Sequence, residues 1–182
     1  MDARDVTQQQ ALANKIAARH AVVGIIGLGY VGLPLARAVH RAGFRILGFD
    51  VDAAKVAMLN QGHSPIGSVT SETLAQMNRD GGFRATCDFT ELNTPDIILI
   101  CVPTPLDAHR EPDMTYIVNS VEAIAPRLRP GQLVALESTT YPGTCDEVMR
   151  PVLERGGLRS GEDFFLAYSP EREDPGNPKY NT

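Results

Sequence analysis

Cysteine is scarce in this chain: Cys87, Cys101 and Cys145 are the only three, an odd number at wide spacing. Such a set gives no disulfide framework and reads as reduced thiols in a cytoplasmic protein. Histidine is sparse too, and His20, His40, His63 and His109 show no metal-ligand spacing, so no metal site is expected. Positive charge is not in excess: 17 Lys and Arg stand against 22 Asp and Glu, and a net charge of −5 argues against nonspecific nucleic-acid binding. Long hydrophobic runs are missing. The apolar stretch 21–35 is broken by glycines and a proline and followed by Arg37, which falls short of the ~20 apolar residues a membrane helix needs. The opening Met1-Asp2-Ala3-Arg4-Asp5 is charged and partly acidic, unlike a signal peptide. No repeat or low-complexity tract appears.

What remains is a chain of 182 residues, 43% hydrophobic and 21% charged, which suits one globular domain with a substantial core. Thr7-x-x-Gln10 has the form of a capping box, and residues 11–19 continue as a short helix. Residues 21–26 are apolar throughout, as in a strand buried on both faces. Pro34 sits in the first turns of a helix running to about residue 42, with Gly43 as its stop. A strand over 44–50, a helix over 53–60 ended by Gly62, a helix over 71–77 and a short strand over 83–86 follow. The run 96–102, DIILICV, is the next strand, and Ile117, Val121, Ile124, Ala125 and Leu128 share one helical face. Strands over 132–137 and 164–168 flank a helical segment over 144–155, which Pro151 must kink or interrupt. Alternating strands and helices require parallel crossovers, hence a doubly wound, mostly parallel sheet with helices on both faces. Three strands precede the long connection and three follow, the count of a six-stranded Rossmann-type sheet.

The strongest local signal is Gly27-Leu28-Gly29-Tyr30-Val31-Gly32, directly after the first strand and at the opening of a helix. In that context Gly27 permits a tight turn, Gly29 lets backbone approach a pyrophosphate, and Gly32 lets helix and strand pack closely. The free N–H groups and positive dipole end of the helix favour the anion. Asp50 closes the second strand, 18 residues beyond Gly32, where a carboxylate accepts ribose hydroxyls and repels a 2′-phosphate. NAD is therefore expected over NADP, with Lys55 within reach of the adenosine side. The plain alternative makes the glycines turn residues and Asp50 a helix cap. FAD uses the same fingerprint, usually at the start of a much larger chain.

Ligands of such sheets bind beyond the carboxyl ends of the strands, and three polar segments fall there. Val102-Pro103-Thr104-Pro105 is either a stiff turn or a loop offering the Thr104 hydroxyl. Residues 137–144, ESTTYPGT, gather hydroxyls that cap the next helix, orient a water or touch a nicotinamide. Residues 169–177, SPEREDPGN, concentrate charge at the functional edge, or form a solvated linker. Asp107, Glu111 and Asp113 make an acidic loop, for which solvation is favoured over cation binding.

GLGYVGLPLA, CVPTP, ESTTYPGT and SPEREDPGN, in this order and spacing, resemble the UDP-glucose/GDP-mannose dehydrogenase family of NAD-dependent nucleotide-sugar 6-dehydrogenases, over residues 22–177. The last two motifs look most like the branch acting on UDP-N-acetylhexosamines. The resemblance implies oxidation of a sugar C6 alcohol to a carboxylate in two NAD-dependent steps, through a cysteine-bound thiohemiacetal and thioester, for polysaccharide precursor synthesis. Carried over by motif, it implies that Gly27, Leu28, Gly29, Tyr30, Val31 and Gly32 hold the pyrophosphate and that Asp50 and Lys55 hold the adenosine ribose. Val102, Pro103, Thr104, Ser138 and Thr139 would line the cofactor site. Thr139 would position the catalytic water and Glu171 would assist acid–base steps or hydrolysis. It also implies a UDP-sugar substrate and a homo-oligomeric full-length enzyme.

The family nucleophile belongs to a GGxCxPKD-like motif of a later domain, and no such motif occurs in these 182 residues. The expected organisation is an N-terminal helical extension, 1–20, and an NAD-binding domain, 21–182, without the central helix and sugar-binding domain, hence without turnover. Cys145 stands near a predicted helix N-terminus, where a thiol pKa falls, but the family usually carries threonine there, so it is not expected to be the nucleophile. Residues 63–71 depart from the aromatic or acidic loop common in the family. UDP-glucose and UDP-N-acetylmannosamine stay open as substrates. A stand-alone NAD-sensing module, and a hydroxyacid or 6-phosphogluconate type of dehydrogenase, are the alternatives; ESTTYPGT and SPER argue against the last. Whether the first helix docks on this domain or on a partner is likewise open.

Overall fold

The computed structural model describes residues 7–106 and 112–170. Helix α1 (Gln8–Ala17) starts at Thr7, whose hydroxyl accepts from the Gln10 N–H at 3.2 Å. Only half of the predicted capping box forms, because the Gln10 side chain donates forward to Asn14 at 2.9 Å. Strand β1 (Val22–Ile26) and helix α2 (Gly32–Arg41) follow, then β2 (Arg45–Phe49), α3 (Ala53–Asn60), α4 (Ser71–Arg79) and β3 (Phe83–Thr86). A 3₁₀ turn (Phe89–Asn93), not foreseen from the sequence, leads into β4 (Ile97–Ile100). Helix α5 (Thr115–Ile124), β5 (Leu133–Leu136), a π-helix (Thr144–Met149), α6 (Arg150–Leu153) and β6 (Phe165–Tyr168) complete the order.

The six strands run β3-β2-β1-β4-β5-β6, every pairing parallel. This is the doubly wound order, and it reverses direction between β1 and β4. Alternation along the strands feeds two cores. Val23 and Ile25 join Leu33 and Ala36 of α2, Val56 and Leu59 of α3, and Leu74 and Met77 of α4. Ile26, Leu47 and Phe49 belong to the other core, with Ile117, Val121 and Ile124 of α5, and Met149 and Leu153. Apolar residues on both faces are what helix-covered parallel strands demand.

The amino ends of the strands are closed by charge pairing. Asp96, buried just before β4, accepts from Lys15 of α1 at 2.7 Å, from Arg129 at 2.8 Å and from the Val22 N–H at 3.0 Å. With Leu12 also buried, these contacts seat α1 on the sheet's amino-terminal edge. Among the described residues, no helix is long and apolar enough to cross a membrane.

The segment 144–155 departs from the regular helix expected of it. Residues Thr144–Met149 form a π-helix, in which the Arg150 N–H bonds the Cys145 carbonyl five residues back. Pro151 is the local cause: it has no N–H to give the Glu147 carbonyl, and its ring would clash with that carbonyl in a regular turn.

Candidate dinucleotide-binding site

The strand order reverses between β1 and β4, and beyond the carboxyl ends of such strands doubly wound sheets take their ligands in a crevice. Its floor is the glycine loop. Gly27 adopts φ +92°, and its N–H bonds the Phe49 carbonyl at 2.8 Å. A Cβ there would stand 2.7 Å from the Cys101 carbonyl oxygen, so the loop leaves β1 wedged against the end of β4. A Cβ on Gly32 would stand 1.9 Å from the Gly27 carbonyl oxygen, which is why α2 can begin so close to the strand. A Cβ on Gly29 would meet nothing within 4 Å, so the space above it is open.

Helix α2 begins without a side-chain cap, since Val31 at that position offers none. Among the described residues, the Tyr30 and Val31 N–H groups bond to no protein atom. Uncapped donors at a helix N-terminus, beside an open glycine, are free to receive an anion. Leu28 in the same loop is fully buried, and Tyr30 is 65% exposed.

Asp50 follows β2 and is buried. Its Oδ2 accepts from the Leu28 N–H at 3.0 Å and from Lys55 Nζ at 2.8 Å, while Oδ1 accepts from the Asp52 N–H at 3.0 Å. Burial pushes the carboxyl's pKa up, but the bonds from Lys55, Asp52 and Leu28 outweigh it and hold the group below the ordinary aspartate value. Asp50 is therefore charged, and Oδ1 keeps a lone pair for a further donor. It is not the cap of α3: Asp52 caps that helix, accepting from the Ala54 and Lys55 N–H groups. The adjoining Val51 is 87% exposed.

The other wall comes from the loops after β4 and β5. The Ser138 hydroxyl donates to the Val102 carbonyl at 2.6 Å, and Thr104 donates to the Thr139 carbonyl at 2.8 Å. These bonds lash the Val102-Pro103-Thr104 loop to the hydroxyl-rich segment. Thr144 donates to the Tyr141 carbonyl at 2.9 Å, and Thr140 lies 2.7 Å from the Thr144 hydroxyl. Of the hydroxyls on Thr104, Ser138, Thr139, Thr140 and Thr144, only that of exposed Thr139 bonds to no described residue. Ser138 and Thr104 thus shape the wall through internal bonds, an allotment that their sequence positions did not reveal.

One sequence expectation ends differently here, and another falls outside the described residues. Cys145 does not have a lowered pKa: burial pushes the thiol up, and neighbouring Asp146 adds to it. Its Sγ faces Met149 Sδ at 3.9 Å and the Ala167 carbonyl at 3.8 Å, an inert setting. Glu171, with the rest of its motif beyond Pro170, lies outside the described residues, as do Asp107 and Glu111. Among the described residues no group of three His, Cys, Asp or Glu side chains could hold a metal ion.

Sheet order, uncapped donors, open glycine and bonded acid define a dinucleotide-binding domain of the Rossmann type. The chain belongs to the UDP-glucose/GDP-mannose dehydrogenase family and matches its NAD binding domain over residues 21–182. It is 40% identical over 159 residues to a UDP-N-acetyl-D-glucosamine 6-dehydrogenase of Pseudomonas aeruginosa, covering 87% of this chain and 37% of that protein. A UDP-N-acetyl-D-mannosamine dehydrogenase of Pyrococcus horikoshii is 32% identical, over 85% of this chain and 37% of that one. Among solved structures, an NDP-N-acetyl-D-galactosaminuronic acid dehydrogenase from Methanosarcina mazei superposes with TM-score 0.80 at 30% identity, covering 93% of this chain and 38% of that one. The chain thus spans a little over a third of the length of these relatives.

Proposed function

We propose that this chain is the cofactor half of an NAD-dependent nucleotide-sugar 6-dehydrogenase that acts on a UDP-N-acetylhexosamine in the cytoplasm. The observation that carries the reading is the pair of unpartnered N–H groups, Tyr30 and Val31, at the uncapped start of α2 beside the open face of Gly29. A dinucleotide diphosphate suits those donors, and Asp50 Oδ1 retains an acceptor for its adenosine ribose. The family match concerns an NAD binding domain, and the name of the 40% identical relative favours the N-acetylhexosamine branch. NAD, when bound, supplies the acceptor for the hydride leaving the sugar C6.

The chain's own residues then divide the labour. Leu28 and Asp50, bonded to each other, fix the glycine loop against the end of β2. Lys55 holds Asp50 ionised and leaves further N–H donors for the ribose side. The pair is close to neutral, so preference for NAD over a 2′-phosphorylated cofactor rests less on bare repulsion than on the ribose hydroxyl that Asp50 accepts. Thr104 and Ser138 set the opposite wall. Thr139, with its hydroxyl unengaged and exposed, positions the water for hydrolysis of the acyl intermediate, and Glu171 assists proton transfer. The full-length enzyme is a homo-oligomer whose sugar pocket and nucleophile come from sequence outside these 182 residues.

The test is turnover. The full-length protein carrying this sequence is expected to reduce NAD fastest with a UDP-N-acetylhexosamine, and the 182-residue chain to reduce none with any UDP-sugar. Preference for UDP-glucose would overturn the substrate assignment. Turnover by the chain alone would place the nucleophile among Cys87, Cys101 and Cys145.

A further inference from the structure

The π-helix after β5 joins the hydroxyl-rich wall to the core. Five residues of an α-helix advance about 140° beyond a full turn, so residues i and i+5 face different ways. Here Thr144 and Met149 are both on the buried side, 1% and 0% exposed. The widened turn ahead of Pro151 brings them to one face. Met149 thereby fills the core beneath α5, and the Thr144 hydroxyl is held at the foot of the 138–141 loop.

The hydroxyl has two partners in the loop, the Thr140 hydroxyl and the Tyr141 carbonyl. Thr144 donates to the Tyr141 carbonyl at 2.9 Å. Thr140 lies 2.7 Å away, in a bond that either hydroxyl can donate, and its own hydroxyl also faces Met114 Sδ at 3.7 Å. One buried oxygen thus pins two points of the loop, Thr140 and Tyr141. The Thr104 bond to the Thr139 carbonyl pins a third from the side of β4.

We propose that Thr144, held in register by the π turn before Pro151, is a positioning residue for the nicotinamide half of the cofactor. It touches no ligand; it acts by fixing the loop that carries Thr139 and Thr140. The adenosine half, gripped through Asp50 and the glycine loop on the other side of the crevice, is independent of it. The inference rests on the cofactor assignment made above and goes beyond it by separating the two halves of the site.

The experiment is calorimetry of the 182-residue chain with two titrants, NAD and ADP, the latter reporting the adenosine half alone. Thr144→Val keeps the shape and removes the hydroxyl. It is expected to weaken NAD about tenfold, the effect of one lost hydrogen bond, with ADP affinity unchanged and Thr144→Ser restoring NAD. Pro151→Ala, which returns an N–H to the helix and allows it to rewind, is expected to give the same split and serves if Thr144→Val does not fold. An unchanged NAD-to-ADP affinity ratio in the folded variants, whether both ligands weaken together or neither does, would overturn the inference alone. A wild-type chain that binds neither ligand would overturn the cofactor assignment, and this inference with it.

Discussion

Two single-methyl additions in the glycine loop should have opposite consequences. At Gly32 a Cβ would lie 1.9 Å from the Gly27 carbonyl oxygen and 3.1 Å from Ile25 Cγ2. Ordinary contact begins near 3.4 Å, so α2 or the loop must retreat by about 1.5 Å. Neither moves freely, because Gly27 is bonded to Phe49 and wedged against Cys101. Alanine gains about 1 kcal/mol of helix propensity over glycine, but overpacking against rigid backbone costs at the upper end of about 1–3 kcal/mol or more. Gly32→Ala is thus expected to lose about 2 kcal/mol net, which lowers Tm by about 4–8 °C in a domain of this size. At Gly29 the methyl meets nothing within 4 Å, and φ lies outside the left-handed region. Gly29→Ala should leave stability within about 0.5 kcal/mol but weaken NAD at least about tenfold, since the methyl occupies the diphosphate's approach. Urea titration measures the first effect and calorimetry the second. A Gly29→Ala domain that binds NAD like the parent would show that the diphosphate does not approach there, and a Gly32→Ala domain of undiminished stability would show that the loop gives way freely.

Acid stability tests the amino-terminal edge. Burial raises the pKa of Asp96, but its bonds to Lys15, Arg129 and the Val22 N–H outweigh that and leave it below the ordinary value. A depressed folded pKa contributes stability that is complete above the unfolded value, about 3.9, and is lost as pH falls through the folded one. Asp96→Asn should therefore lower stability by about 2 kcal/mol at neutral pH and flatten the acid limb of the urea midpoint against pH; an unaltered acid limb would remove Asp96 from the account. Thiol labelling follows burial: exposed Cys87 should react with iodoacetamide well before Cys145, whose pKa is raised, and faster labelling of Cys145 would contradict its packing against Ala167.

The parts of this site that could be read from the sequence are those governed by short-range rules. Spacing alone placed Gly27, Gly29 and Gly32 between a strand and a helix, and the acid after β2 at Asp50, because turn geometry and close approach restrict those positions to few residue types. The helix over Ala53–Asn60 and the strand over Phe83–Thr86 were bounded by their flanking turns as expected. Other features depend on partners distant in the chain. That Asp52 rather than Asp50 caps α3 follows from Asp50 being turned inward by Leu28, 22 residues earlier. Pro151 announced an interruption, but its resolution as a π turn depends on burying Thr144 and Met149 together. For the Cys145 thiol, proximity to a helix N-terminus is a local feature that favours a lower pKa, while burial, with Met149 and the Ala167 carbonyl facing the sulfur, prevails and raises it. Likewise, which hydroxyls are engaged and which is free depends on Thr104 and Val102 meeting the segment after β5.

If the glycine loop and Asp50 together receive the adenosine diphosphate half of NAD, a phosphate on the 2′-hydroxyl must weaken binding. Calorimetric comparison of NAD and NADP tests it most directly. The parent domain should bind NAD at least about tenfold more tightly, the worth of one charge-assisted hydrogen bond to the 2′-hydroxyl. Asp50→Ala should bring the two within a few-fold, because NAD loses its acceptor and Lys55 is freed to meet the phosphate. Equal affinities for NAD and NADP in the parent domain would contradict the account.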